Sequence, residues 1–306
     1  MLNFVPMSAQ KHAYLLLVHT SPAQVRKLLE LLDDPRNDLY VHIDRKAPFG
    51  PAALEGCCRR AGVHFIEPRR RVNWGGVSIM RTTLDLLKAA TAEPHAYYHL
   101  LSGMDLPIKS QDEIHAFFDA HPEREFIKLW PVEPARAHRY QYYTLFTEGQ
   151  HFFLTNLINN LVKGILIALH LRINKGIDFR FRAQWFSISD EFARYVLSQE
   201  DWLERVFRHT GTCDEVFLPT LLMNSPLRHR LFDPSIHFEK QQVVDPVHLG
   251  NLRLIDWTRG KSIRHPWVFL AGDWDLLMSA PYFWARKFDE RVDEQIIDRI
   301  YAQLKD

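Results

Sequence analysis

Along its first ~130 residues the chain alternates short apolar runs with longer segments in which apolar positions recur every three or four residues. That alternation is the signature of βαβ units building an α/β sheet. The run 13–18 (AYLLLV) is strand-sized. In 23–32, Val25, Leu28, Leu29 and Leu32 share one helical side behind Ser21, a plausible cap. The stretch 38–44 (DLYVHID) predicts a second strand ending in polar His42 and Asp44, 63–66 a third, 78–90 a helix, and 97–101 a fourth strand that runs into SGMDLP at 102–107. Polar residues at the carboxyl ends of strands are where open α/β sheets bind ligands.

From about 131 to 183 the pattern loosens into an aromatic and basic stretch (HRYQYYTLF, 138–146), followed by an apolar segment at 152–172. In that segment Leu154, Leu157, Ile158, Leu161, Val162, Ile165 and Leu166 fall on one helical face. Asn156, Asn159, Asn160 and Lys163 interrupt it too often for a bilayer-spanning helix. It reads as an amphipathic helix packed on the protein's own core, with peripheral contact at a membrane surface as the alternative. Order then returns, with a strand at 185–188, helices at 190–197 and 214–223, a strand-like LRLIDW at 252–257, a helix from near Asp273 and a last helix at 293–304. Nothing resembles an interdomain linker. The expectation is one compact α/β domain over 1–306, in three parts: about 11–130, an insertion at about 131–183, and about 184–306.

Composition narrows this reading only a little. With 306 residues, 46% hydrophobic and 25% charged, disordered and fibrous classes are excluded. A net charge of +1 gives no global attraction to nucleic acid or anionic membrane, so anions must be met by local cations. Cys57, Cys58 and Cys213 fit neither a disulfide framework nor paired metal-ligand spacing, and no secretory leader is evident; both point to a cytoplasmic protein, peripheral to the inner membrane face at most.

The candidate chemistry is local. Asp214 and Glu215 adjoin at a helix start; Asp214 is the natural cap, which leaves Glu215 free to take a proton from a hydroxyl. Arg264 and Arg286-Lys287 flank Ala271-Gly-Asp273, where free backbone N–H groups would add to the positive potential. His42 and Asp44 could hold a ribose or base. Trp74 stands beside Gly75 and Gly76, which let a backbone approach a ligand. Tyr140, Tyr142, Tyr143, Phe146, Trp130, Trp185 and Trp257 could stack on sugar rings or fill the core. Asp273-Trp-Asp275 has the D-x-D form of a cation site but opens a helix, which favours capping. No phosphate-binding glycine loop, dinucleotide fingerprint, zinc motif or serine-hydrolase elbow occurs.

Taken together, HAYLLLVHTSP (12–22), DLYVHIDRKAP (38–48), NWGG (73–76), YYHLLSGMDLPIKSQDEIHAFF (97–118), AQWFSIS (183–189), CDEVFLPTLL (213–222), IDWTRG (255–260) and ARKFDE (285–290) resemble the core-2/I-branching glycosyltransferases of family 14, bacterial type. That family includes β-1,6-N-acetylglucosaminyltransferases and peptide O-xylosyltransferases. The resemblance implies a GT-A-type, Rossmann-like fold, with 11–130 as the nucleotide-binding part, the insertion on the acceptor side, and 184–306 as the catalytic and diphosphate-binding part. It implies inverting transfer from a UDP-sugar, UDP-GlcNAc by preference, to a saccharide hydroxyl, with no metal and no cofactor. By the same resemblance Glu215 is the base, Arg264 and Lys287 meet the diphosphate, Asp44 contacts the nucleotide, and Gly103 and Asp105 lie near the sugar-diphosphate. Trp74, Trp185, Asp214 and Trp257 are acceptor-side candidates. Cys213 stands where the family has proline, Leu270 where it has the first glycine of its GAGD stretch, and Arg182-Ala183 where Gly-Ser is usual. The alternatives are UDP-xylose as donor, or a nucleotide- or glycan-binding protein without turnover.

Overall fold

The computed structural model describes residues 10–131, 134–148, 152–182, 184–233, 250–259 and 265–305. In chain order the elements are β1 (His12–Val18), α1 (Pro22–Leu31), β2 (Asn37–Ile43), β3 (Gly62–Phe65), α2 (Val77–Ala90), β4 (Tyr97–Ser102), β5 (Asp105–Pro107), α3 (Gln111–Ala120), β6 (Phe126–Ile127), β7 (Trp130–Pro131), α4 (Pro134–Gln141) and α5 (Phe153–Ala168). They continue with β8 (Arg180–Phe181), β9 (Phe186–Ser189), α6 (Asp190–Ser198), α7 (Glu200–Phe207), α8 (Phe217–Met223), β10 (Arg253–Ile255), α9 (Trp274–Ser279), β11 (Trp284–Arg286) and α10 (Glu294–Leu304). The main sheet runs β3-β2-β1-β4-β9-β6, and a smaller one runs β10-β11-β5.

The α/β class expected from the sequence is what forms. β1 pairs in parallel with both β2 and β4, and β2 with β3; β9 is antiparallel to β4 and β6. All seven residues of β1 are buried, which is why it reads as an unbroken apolar run. Chain order along the sheet reverses between β1 and β4, so a crevice opens at their carboxyl ends. Core packs on both sides of this sheet, with α2, α6 and α8 on one and α1, α3 and α10 on the other. Ser21 caps α1 as expected, accepting from the Gln24 N–H (3.2 Å).

At the amino end of the central strands three imidazoles are buried together. His12 stacks on His115 with ring centroids 4.0 Å apart, and His12 Nδ1 and His99 Nε2 are 3.1 Å apart. Burial, followed by the neighbouring Arg36 charge, pushes the His115 pKa down to about 4; burial also depresses His12 and His99. Because the folded state keeps His115 neutral, the unfolded chain takes up that proton first. Stability is therefore lost as pH falls from about 6.5 toward 4, by on the order of 3 kcal/mol for this one group. Glu125, pushed up to about 7 by burial, acts in the opposite sense over part of that range, so the useful comparison is between proteins. Urea unfolding at stepped pH is expected to show a shallower acid decline for His115→Gln than for wild type.

The insertion differs from expectation. α5 does form, but of its residues Asn159 is the one that is buried, while Leu157, Leu161 and Ile165 face solvent. The helix does not pack its apolar face on the core. Asn159 fixes this orientation by clasping the backbone of Phe146, accepting from its N–H (3.0 Å) and donating to its carbonyl (2.9 Å). Of the aromatic stretch, Tyr140 and Tyr142 are core, while Tyr143 stacks on His209 at 4.1 Å.

Candidate functional site

The crevice at the switch point is assembled by short backbone ties. Asp44 N–H donates to the Val18 carbonyl (2.7 Å) and Gly103 N–H to the Leu17 carbonyl (3.0 Å), so the exits of β1, β2 and β4 lie side by side. The chain after β11 joins them through Phe288 N–H to the Met104 carbonyl (2.9 Å). Buried Gln24 locks this junction, donating to the carbonyls of Gly103 (2.9 Å) and Phe288 (3.1 Å) and accepting from Glu290 N–H (3.0 Å). Gln24→Leu keeps the volume but strands three backbone partners. It is expected to cost about 2–4 kcal/mol of stability, read by chemical denaturation.

Lys287 is half-buried in this junction, and its ammonium has no hydrogen-bond or ion-pair partner among the described residues. Its backbone is pinned on both sides, by Lys287 N–H to the Trp267 carbonyl (3.3 Å) and Phe269 N–H to the Lys287 carbonyl (2.9 Å). Burial, then the charge of Arg286, lowers its pKa below the ordinary lysine value. Arg286 itself is held by Asp105 at 3.0 Å and lies 4.1 Å over the Trp185 ring. His19, at the end of β1, feels Asp44, Lys287, Arg286 and Lys46 together, which puts all five in one neighbourhood; burial is the first cause of its lowered pKa.

Several candidates act at one remove. The Asp105 carboxylate accepts from Ser102 N–H (2.9 Å) and hydroxyl (3.0 Å) and holds Arg286, so it supports the cation pair from within the fold. Gly103 is a packing glycine: a Cβ there would stand 2.9 Å from Val25 Cγ2. His42 departs from expectation, since its buried ring accepts from Arg70 N–H (2.9 Å) inside the fold. Asp44 accepts from Lys46 N–H (2.8 Å) and Val72 N–H (3.4 Å), which ties the loop 68–76 to the crevice.

That loop carries the second half of the site. Gly75, at φ +67°, delivers its carbonyl to Thr212 N–H (3.2 Å), and the Cys213 thiol reaches the Gly76 carbonyl at 3.7 Å. A Cβ on Gly76 would fall 2.4 Å from a carboxylate oxygen of Glu148, which accepts from Ser78 N–H (2.8 Å) and the Asn73 side chain (2.7 Å) at the start of α2. Glycine at 76 is therefore required by the acid that caps this helix. Trp74, 69% exposed, leaves its ring open for stacking.

Residues Cys213–Glu215 form a single 3-10 turn before α8, and Glu215 projects outward, its carboxylate without a partner among the described residues. Arg182 N–H donates to the Glu215 carbonyl (2.9 Å), three residues before the Trp185 that lies under Arg286. The 72–76 loop thus links Asp44 to the Thr212-Cys213 turn, and the stretch from Arg182 to Trp185 links the Glu215 carbonyl to Arg286. Asp214 does not cap α8 as expected. It is buried, one carboxylate oxygen lacks a partner, and burial, followed by the charge of Glu215, pushes its pKa up to about 7.

Other expectations are corrected in detail. The N–H groups around Ala271-Gly-Asp273 are not free, since Ala271 donates to Asp293 (2.8 Å) and Leu270 to Asp273 (2.9 Å). Asp273 also accepts from Trp267 Nε1 (3.0 Å) and pairs with Arg259, while Asp275 is exposed, so the D-x-D is structural. Trp185 is buried with a guanidinium on one face, so it is not an open stacking surface; Trp257, 38% exposed, lies beyond β10 next to Asp256, whose carbonyl receives Trp267 N–H (2.7 Å). Arg264 and Ala183 lie outside the described residues. Sequence reasoning missed His19, which carries the same strand-end signal as Asp44, and Gln24 and Glu148, whose roles depend on distant partners.

A family model described as Core-2/I-Branching enzyme matches residues 12–269. Among curated relatives, Xylosyltransferase 2 of Rattus norvegicus is 24% identical over 94% of this chain and 33% of its own length. Xylosyltransferase 1 of the same species is 25% identical over 99% of this chain and 36% of its own. The chain therefore spans about a third of the length of the relatives it matches. A crystal structure of mouse Xyloside xylosyltransferase 1, apo form, aligns with 70% of this chain and 83% of its own at 14% identity and a TM-score of 0.31. With a matching model across most of its length, the chain belongs to the Core-2/I-Branching enzyme family.

Proposed function

We propose that this protein transfers a sugar from a UDP-sugar to a hydroxyl of a saccharide acceptor, inverting the anomeric centre. One observation carries the reading: an exposed carboxylate, Glu215, and a half-buried ammonium, Lys287, are both unpartnered among the described residues, and Arg182 N–H donates to the Glu215 carbonyl three residues before the Trp185 that lies under Arg286, the neighbour of Lys287. Glu215 takes the proton of the acceptor hydroxyl as its oxygen bonds to C1. The bond from C1 to the diphosphate oxygen breaks as that happens. Lys287, with Arg264 by family resemblance, meets the charge developing on the departing UDP. Arg286 sits too close to Asp105 to add a full charge, and its role is to fix the chain beside Lys287.

Two cations then do what a divalent ion does for other transferases, and no metal is required. The engagement of Asp273 with Leu270, Trp267 and Arg259 supports this, because it leaves the D-x-D without a free pair of carboxylates. Trp74 offers an aromatic platform to the acceptor sugar. UDP-GlcNAc is the preferred donor on the resemblance. A second reading, UDP-xylose, is favoured by the names of the curated relatives.

A thermal-shift series in EDTA with UDP, UDP-GlcNAc, UDP-xylose, UDP-glucose and UDP-galactose tests both. One UDP-sugar is expected to raise Tm above UDP alone, and its identity names the donor. A flat response to all five, or a response only with Mn²⁺ added, overturns the reading.

A further inference from the structure

α5 presents an apolar surface that no part of the described chain covers. Its 16 residues span about 24 Å, and Phe153, Leu157, Leu161 and Ile165 form a continuous outward stripe, with Leu161 65% and Phe153 82% exposed. Leu154, Ile167, Leu169 and Leu171 extend it. The orientation is held by a specific contact. Asn159, on the opposite side, is buried in its two-bond clasp with Phe146, so the helix cannot roll its leucines inward without breaking both bonds. A stripe of this extent on a folded chain marks an interaction surface.

The charges around the stripe say what it meets. Between Glu148 and Asp178 the sequence has no acidic residue, while Arg172 and Lys175 follow the helix; Lys163 lies on the inward side near Asn159 and is half-buried. The bounding acids are already engaged, Glu148 with Asn73 and Ser78, and Asp178 with Arg180 at 2.7 Å. Arg172 and Lys175 are both exposed. An apolar stripe within a stretch whose exposed charges, among the described residues between Glu148 and Asp178, are Arg172 and Lys175 complements an anionic lipid surface; a second copy docked through the same face would bring like charges together. The helix is too short and too interrupted by asparagine to cross a bilayer, and no described helix is long and apolar enough to do so.

We propose that α5 lies in the interfacial plane of an anionic bilayer, inserting Phe153, Leu157, Leu161 and Ile165 among the lipids while Arg172 and Lys175 meet the headgroups. The protein then binds membrane peripherally and reversibly. The inference does not depend on the transferase reading, since it concerns a face whose occupancy is measured without turnover.

Vesicle flotation of the whole chain tests it, comparing phosphatidylcholine alone with equal parts phosphatidylcholine and phosphatidylglycerol. Wild type is expected to float with the mixed vesicles and to be released by high salt. Leu161→Glu, at an exposed position, is expected to lower partitioning by about tenfold or more. The double change Arg172→Glu with Lys175→Glu should abolish the preference for phosphatidylglycerol. Unchanged circular dichroism and Tm would show that the variants fold. Wild type absent from the lipid fraction, or Leu161→Glu floating as well as wild type, overturns the proposal. So does a concentration-dependent dimer that Leu161→Glu disrupts, which would give the face to a second copy.

Discussion

Glu215→Gln is expected to lower kcat by about 10²–10⁴-fold while leaving the dissociation constant of the UDP-sugar nearly unchanged. The side chain is exposed and bonds to nothing among the described residues, so its replacement by an isostere removes no stabilising contact. Its neighbours stay in place because they are held by backbone, Thr212 by Gly75 and the Glu215 carbonyl by Arg182. The loss should therefore appear in the chemical step alone. Removing the Glu215 charge also withdraws one of the causes that raise Asp214, so the Asp214 pKa should fall from about 7 in the variant. Initial-rate kinetics, calorimetric donor binding and a carboxyl titration by NMR check the three parts separately.

Lys287→Ala is the second large effect. A cation held against a leaving diphosphate stabilises charge that grows in the transition state, and its loss is expected to cost about 2–4 kcal/mol of barrier, roughly 30- to 10³-fold in kcat/KM. Weaker inhibition by UDP should accompany it, since the product carries the same diphosphate. The pH dependence has a definite sign. Burial and Arg286 lower the Lys287 pKa, so the active, charged form is lost as pH rises through a value below the ordinary 10.5. Lys287→Arg keeps its charge throughout the accessible range, and the alkaline limb should move up or vanish even if the rate is reduced. An alkaline limb identical in wild type and Lys287→Arg would assign it to another group.

Legibility differed between elements for physical reasons. β1, β2 and β4 were visible because parallel strands covered on both faces need unbroken apolar runs, and α1 because Ser21 sits one residue before it. α3 was equally legible and was missed: Ser110 and Glu113 form a capping box whose spacing stands in the sequence. α5 shows the limit of periodicity. Repeats of three and four reveal that a helix has an apolar face, but whether that face turns inward depended on Asn159 meeting Phe146, which spacing cannot disclose.

Within the site, strand-end logic singled out Asp44, Gly103 and Asp105, which lie around the adjoining exits of β1, β2 and β4. It could not tell a ligand contact from a support. His42, Asp44 and Asp105 are all engaged inside the fold, with Arg70 N–H, with the N–H groups of Lys46 and Val72, and with Arg286. Asp214 and Glu215 were told apart by a capping argument, whereas in the structure the 3-10 turn separates them, burying the first without a cap on α8 and exposing the second.

Metal-independent sugar transfer by Glu215 and an anion-binding lysine is tested most directly by UDP release from the donor that shifts Tm, in EDTA, with wild type and Glu215→Gln side by side. UDP release by wild type is expected to persist in EDTA and to fall to background in the variant. Equal release by both proteins, or release by wild type only when Mn²⁺ is restored, would contradict it.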